Sequence, residues 1–248
     1  MGEAQPRNFE DSSIVITGAG KGIGRQIALA CARSLHHPLV LLARSGDKLK
    51  KVENECIELG AAKVMHRVID LTDREAVDHL ELPPPFDNPG IIVNNAGYFL
   101  PRPISETTYK EYDALFSANV DSAYNVIQHF LDGMKALDRA LIINICSLSS
   151  LIGKGECGIY SSSKHALLGL SRSLREELKP TNVGVTAINL GQTYSSSWEG
   201  VDVDPARIID PADVGNIVVT LANMAPQSTV DEIKMTPQHG ELPPEQSW

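Results

Sequence analysis

Tyr160 and Lys164 stand four residues apart in the segment Tyr-Ser-Ser-Ser-Lys. On a helix that spacing puts both side chains on one face, close enough to interact. A free phenol has a pKa of about 10, too high for a base near neutral pH. A fixed ammonium beside it favours the phenolate and lowers that value. Such a tyrosine can pass a proton to or from a substrate oxygen. Tyr-x-x-x-Lys also occurs by chance in many helices, so its meaning depends on the elements that position it.

Those elements are legible upstream. The apolar run Ile14-Val-Ile16 leads into Thr17-Gly-Ala-Gly-Lys-Gly-Ile-Gly24 and then Arg25-Gln-Ile-Ala-Leu-Ala-Cys-Ala32, which reads as strand, glycine turn and helix. Glycines turn the chain tightly and let a phosphate approach the backbone. The amides at the helix start then face a pyrophosphate. Further on, Pro38–Ala43 reads as a second strand, and a helix with one apolar face (Leu49, Val52, Cys56, Leu59) stops at Gly60. Val64, His66 and Val68 alternate along a third strand, and Thr72-Asp-Arg-Glu75 is a capping box. Strand Ile91–Asn94, a long helix over Tyr109–Ala136 and strand Leu141–Ile145 follow. Next come a helix over Glu156–Lys179 and strands Val183–Asn189 and Val230–Met235, with Asp210-Pro-Ala-Asp213 opening the last helix. Alternating strands and helices predict an α/β fold with a doubly wound parallel sheet of about seven strands. Residues 1–11 are expected to be a flexible tail and 12–248 a single nucleotide-binding domain.

In its motifs the chain resembles the short-chain dehydrogenase/reductase family from about residue 12 onward. Thr17–Gly24 matches the family's cofactor turn, and Asn94-Asn-Ala-Gly97 matches its motif after the fourth strand. Asn119 matches the asparagine of the central helix. Ser147 lies thirteen residues before Tyr160, the family's spacing for its catalytic serine. The resemblance implies a Rossmann-type fold and four catalytic residues. Ser147 orients the substrate carbonyl, Tyr160 protonates its oxygen, Lys164 lowers the phenol's pKa, and Asn119 holds a water that reconnects the lysine to solvent. It also implies cofactor contacts from Gly18, Gly20, Lys21, Gly22, Ile23, Gly24, Asp70, Leu71, Asn95, Ala96, Gly97, Tyr160 and Lys164.

Charge selects the cofactor. An acid at the end of the second strand would favour NAD by binding the ribose 2′-hydroxyl. Here Ala43 takes that place, Arg44 and Ser45 follow it, and Lys21 lies within the glycine turn. Two cations and no acid suit a 2′-phosphate, so NADP(H) is the expected cofactor.

After the sixth strand Leu190 stands where many relatives have proline, but Gly191 and Thr193 remain, and Thr193 is placed to meet the nicotinamide carboxamide. The segment Tyr194–Gly200 reads as a short lid in which Trp198 either covers substrate or packs the lid down. Val230–Met235 lacks the family's glycine-rich ending and resembles the sepiapterin-reductase-like branch, with Asp231 where an acid anchors the pterin. The leading expectation is NADPH-dependent reduction of a small-molecule carbonyl. A pterin side-chain carbonyl is the alternative, and a non-catalytic NADP-binding sensor a more distant one.

The chain has 248 residues, a formal charge of −9 and 21% charged residues. That charge opposes binding to nucleic acid. No apolar run approaches the roughly 20 residues of a membrane span, and the N-terminus lacks a signal-peptide core, so a cytoplasmic enzyme is expected. Cys31, Cys56, Cys146 and Cys157 show neither metal nor disulfide spacing. Cys146 and Cys157 neighbour Ser147 and Tyr160, so thiol reagents are a conceivable route to inhibition. The family resemblance implies a homodimer or homotetramer paired through the two long helices. Ala166, Leu167, Leu170 and Leu174 form an apolar stripe that is either interface or core.

Overall fold

A computed structural model describes Phe9, residues 12–198 and residues 200–243. Seven parallel strands form one sheet: β1 (Ser13–Thr17), β2 (Leu39–Ala43), β3 (Val64–Val68), β4 (Pro89–Asn94), β5 (Ala140–Ser147), β6 (Val183–Leu190) and β7 (Glu232–Met235). Their order is β3-β2-β1-β4-β5-β6-β7. The helices are α1 (Gly22–Ser34), α2 (Gly46–Glu58), α3 (Arg74–Asp78), α4 (Tyr109–Phe116), α5 (Ser122–Lys135), α6 (Gly158–Leu178) and α7 (Pro211–Ala222).

The near-continuous apolar runs of β1, β4 and β5 follow from burial on both faces. Alternate residues feed two cores. Ile14, Ile16, Leu39, Leu41, Ile91 and Val93 pack with α1, α2 and α7, while Val15, Val40, Leu42, Ile92 and Ile142 pack with α3, α5 and α6. In α7, a Cβ on Gly215 would lie 2.7 Å from Ala30 Cβ, so glycine permits the close α1–α7 approach. Strand order reverses between β1 and β4, and the crevice there, past the carboxyl ends of the strands, is where such sheets bind ligands.

Several sequence expectations need correction. The predicted helix over Tyr109–Ala136 is interrupted by a π-helical segment at Ser117–Asp121. The cap before α3 is Asp73, whose carboxylate accepts from Ala76 N at 3.2 Å. Thr72 instead donates to Asp70. Of the expected N-terminal tail, residues 1–8, 10 and 11 lie outside the described residues. Phe9 is packed rather than loose: it is 3% exposed, with the Arg139 guanidinium 4.4 Å from its ring centroid. In the α6 stripe, Leu167 and Leu174 are buried core residues, and Leu170 packs half-buried against Ala123 and Cys146. No helix among the described residues is long and apolar enough to cross a membrane.

Candidate active site

The cofactor turn is fastened to the loop after β4. Thr17 Oγ1 accepts from the backbone amides of Asn95 and Ala96, each at 2.9 Å. Asn95 Nδ2 donates back to Thr17 O at 3.0 Å. Gly18 and Gly22 have φ of 63° and 55°, a region that glycine enters without strain. At Gly24 a Cβ would overlap Gly18 O and Asn95 Nδ2. Lys21 is the N-cap of α1 yet makes no side-chain cap, and the first turn carries no acid. The amides there keep their donors for an anion.

At the end of β2, Ala43 faces Gly20, and Arg44 and Ser45 are exposed. Ser45 is the N-cap of α2 without a side-chain cap bond, so its hydroxyl stays available. Arg44 lies close enough to Asp70 to help hold its carboxyl below the ordinary range. The first cause of that shift is the hydrogen bond from Thr72 N. Leu71 is buried, and its carbonyl accepts from Asn125 Nδ2 on α5 at 3.0 Å. These residues fit a dinucleotide carrying a 2′-phosphate: a glycine cradle with no room for a Cβ, a helix start lacking a cap, and two cations beside it.

Ser147, Tyr160 and Lys164, expected from the sequence to be catalytic, converge where β5 ends and α6 begins. Ser147 closes β5, and its Oγ accepts from Ser149 N at 3.1 Å and hydrogen-bonds the Tyr160 phenol. Tyr160 is half-buried, with its ring edge-on to Phe99 at 4.9 Å. Burial pushes its phenol up to about 12; the Ser147 hydrogen bond opposes this, while Cys157, Cys146 and Glu241 add to it. The expected lowering by Lys164 is not part of this balance. Lys164 Nζ donates instead to Ile145 O at 2.9 Å, and its own pKa is held down by burial. The phenol is therefore a proton donor at neutral pH.

Asn119 sits in the π-helical segment, fully buried. Its Oδ1 accepts from Tyr98 N at 2.9 Å, and its Nδ2 donates to Tyr98 O and Ser163 Oγ at 3.1 and 3.0 Å. Both donor hydrogens of that amide are thus spent on protein, so the water-holding role expected of Asn119 does not fall to its side-chain donors. Gly97 passes against Asn119 where a Cβ would strike Oδ1.

Ser163, which the sequence reading did not single out, ties Asn119 to the first turn of α6 by donating to Tyr160 O at 2.8 Å. A second unforeseen link runs from Asn94 through Asn144 to Ser171, with bonds of 2.9 and 2.8 Å, and fixes α6 to β4 and β5. Both involve polar residues at positions that pattern alone reads as ordinary strand or helix.

On the far wall, Gly191 N donates to Met235 O, and Thr193 Oγ1 donates to Gly191 O. Trp198 packs the lid down. It is 6% exposed among Ile208 and Leu242, and its Nε1 donates to Thr193 O at 3.0 Å. Asp231 does not reach the site. It precedes β7 at the entry end, where its carbonyl accepts from Ala187 N, and its carboxylate pairs with Arg175 at 2.7 Å. The site lies at the other end, beside Leu190 and Met235. All four cysteines are buried. Burial raises Cys31 and Cys56 to about 12 and Cys146 to about 11, and raises Cys157 as well. Thiolate is the nucleophilic form, so the structure opposes inhibition by thiol reagents.

Comparison with known proteins agrees with this geometry. The family model described as short chain dehydrogenase matches residues 12–204. An uncharacterized oxidoreductase of Staphylococcus aureus is 30% identical over 232 residues, covering 92% of this chain and 97% of the relative. A sepiapterin reductase of Chlorobaculum tepidum is 30% identical over 239 residues, with the same coverage of 92% and 97%. A crystal structure of a metagenomic short-chain oxidoreductase in complex with NADP superposes with a TM-score of 0.76 at 30% identity, covering 91% of this chain and 97% of that one. The chain belongs to the short-chain dehydrogenase family and is an oxidoreductase.

Proposed function

We propose that the protein reduces a small-molecule ketone or aldehyde to an alcohol with NADPH. The observation that carries this reading is the Ser147–Tyr160 hydroxyl pair, whose phenol keeps its proton near neutral pH. NADPH, when bound, supplies the hydride that the carbonyl carbon receives. Ser147 Oγ and Tyr160 Oη hold the carbonyl oxygen, and Tyr160 gives its proton to that oxygen as negative charge grows there. Lys164, anchored at Ile145 O, lies one helical turn from Tyr160 and is placed to meet the nicotinamide ribose. NADP(H) is favoured over NAD(H) by Lys21, Arg44 and Ser45, and a relative of 30% identity holds NADP.

Because reduction needs the protonated phenol, its rate stays level from about pH 6 to 9. The reverse oxidation needs the phenolate and rises with pH.

The first experiment is NADPH oxidation by purified protein against sepiapterin, diketones, quinones, aldehydes and a 3-ketoacyl thioester. Turnover of diketones or aldehydes supports the reading, whereas cofactor binding with no turnover of any compound defeats it. Strong preference for sepiapterin would favour the pterin alternative. That alternative draws on the sepiapterin reductase relative and loses its acid anchor at Asp231, which is paired away from the site.

A homo-oligomer in the cytoplasm completes the proposal. Tyr109 and Tyr112 on α4 and Tyr124 on α5, exposed at 90%, 41% and 46%, are the residues offered for the surface of association.

A further inference from the structure

Two charged side chains with no part in the proposed proton transfer meet beside it. Lys154 Nζ lies 2.7 Å from Glu241 Oε2, and the side chains are only 15% and 25% exposed. Lys154 belongs to the loop from Ser147 to Tyr160, and its carbonyl accepts from Cys157 N, one residue before α6. Glu241 arrives from the opposite side, on the segment after β7. Its neighbour Leu242 is clamped to Gln192, with its amide donating to Oε1 at 2.6 Å and its carbonyl accepting from Nε2 at 3.0 Å. Gln192 follows Gly191 just past β6. The ion pair therefore joins the loop before the catalytic tyrosine to the C-terminal segment, over the carboxyl ends of β5 and β6. A partly buried pair gains little net stability once desolvation is counted, so its position is the more informative property. Glu241 also lies within electrostatic reach of the Tyr160 phenol.

We propose that Lys154 and Glu241 form a charge-selective wall of the substrate pocket, which admits neutral polar carbonyl compounds and disfavours those bearing a carboxylate or an ammonium. The proposal rests on the carbonyl-reductase reading above. A substrate carboxylate meets repulsion from Glu241 and must displace it from Lys154, and an ammonium meets the reverse. A neutral hydroxyl or amide can donate to the lone pairs of Glu241 that Lys154 leaves unused.

The test uses acetophenones that carry a meta hydroxymethyl, carboxylate or aminomethyl group. It measures kcat/KM with NADPH and, independently, calorimetric binding to the NADP+-loaded protein. Wild type is expected to favour the hydroxymethyl compound over both charged ones by about tenfold, the ratio that 1.4 kcal/mol produces. Glu241→Gln should shift the ratio about tenfold toward the carboxylate, and Lys154→Met by a similar factor toward the amine. The swap Lys154→Glu with Glu241→Lys should restore neutral preference. Ratios unchanged within about twofold in both single variants would overturn the proposal. If wild type turns over none of the three, the binding ratios decide the wall, and the carbonyl-reductase reading falls only if the wider carbonyl panel also shows no turnover. If thermal melting shows that a single variant does not fold, the swap decides: neutral preference supports the wall, and a charged preference overturns it.

Discussion

The start of α1 follows buried β1 through the glycine turn, and the start of α7 follows the lid segment after β6; the two are finished differently. At α7, Asp210 Oδ1 accepts from Ala212 N at 2.8 Å and Pro211 removes one orphan donor. Asp73 and Thr108 cap α3 and α4 in the same local way. At α1 and α2 the N-caps are Lys21 and Ser45, and neither side chain closes its helix. Side-chain caps close α3, α4 and α7 and are missing at α1 and α2 beside the glycine turn; α5, which continues the π-helical segment, and α6, whose first turn carries Tyr160, also lack one. The difference teaches that an incomplete helix start can mark a ligand site, because an anion completes it.

Substitutions can break or sharpen this contrast. The largest effect is expected at Gly24→Ala, whose Cβ overlaps Gly18 O and Asn95 Nδ2 and distorts the turn before α1. Fluorescence titration should show NADPH affinity falling by about a hundredfold or more, equivalent to about 3 kcal/mol. Affinity within a few-fold of wild type would mean that the turn does not cradle the cofactor. Next, Arg44→Asp removes a cation and places an acid at the end of β2. The ratio of kcat/KM for NADPH over NADH should drop by about ten- to a hundredfold; an unchanged ratio assigns Arg44 to solvent. The smallest effect belongs to the other side of the contrast. Asp210→Ala should cost about 1 kcal/mol of stability in a denaturant melt and leave cofactor affinity untouched, and a loss of affinity there would erase the distinction.

Much of the fold was legible because periodicity is a local property. The apolar runs of β1, β4 and β5 and the glycine turn each declare themselves within a few residues. Motif order alone singled out the four residues proposed as catalytic. What escaped depends on contacts between distant segments. Lys164 sits at the right spacing from Tyr160, but whether its ammonium reaches the phenol depends on Ile145 O, nineteen residues away. Asp231 looked suited to the pocket by its strand alone, and the parallel register with β6 puts it at the wrong end. Trp198 allowed two readings until Ile208 and Leu242 were seen to enclose it. Glu241 carried no signal at all, since its partner lies 87 residues earlier.

The central claim is that Tyr160 donates the proton. Its most direct test compares Tyr160→Phe with wild type on the best substrate of the carbonyl panel, with NADPH binding measured on the same preparations. The expected outcome is a loss of kcat of about a hundredfold or more, with the NADPH dissociation constant within a few-fold of wild type. Retention of substantial turnover by the phenylalanine variant would contradict the account, because its ring keeps the shape of the tyrosine and lacks only the hydroxyl.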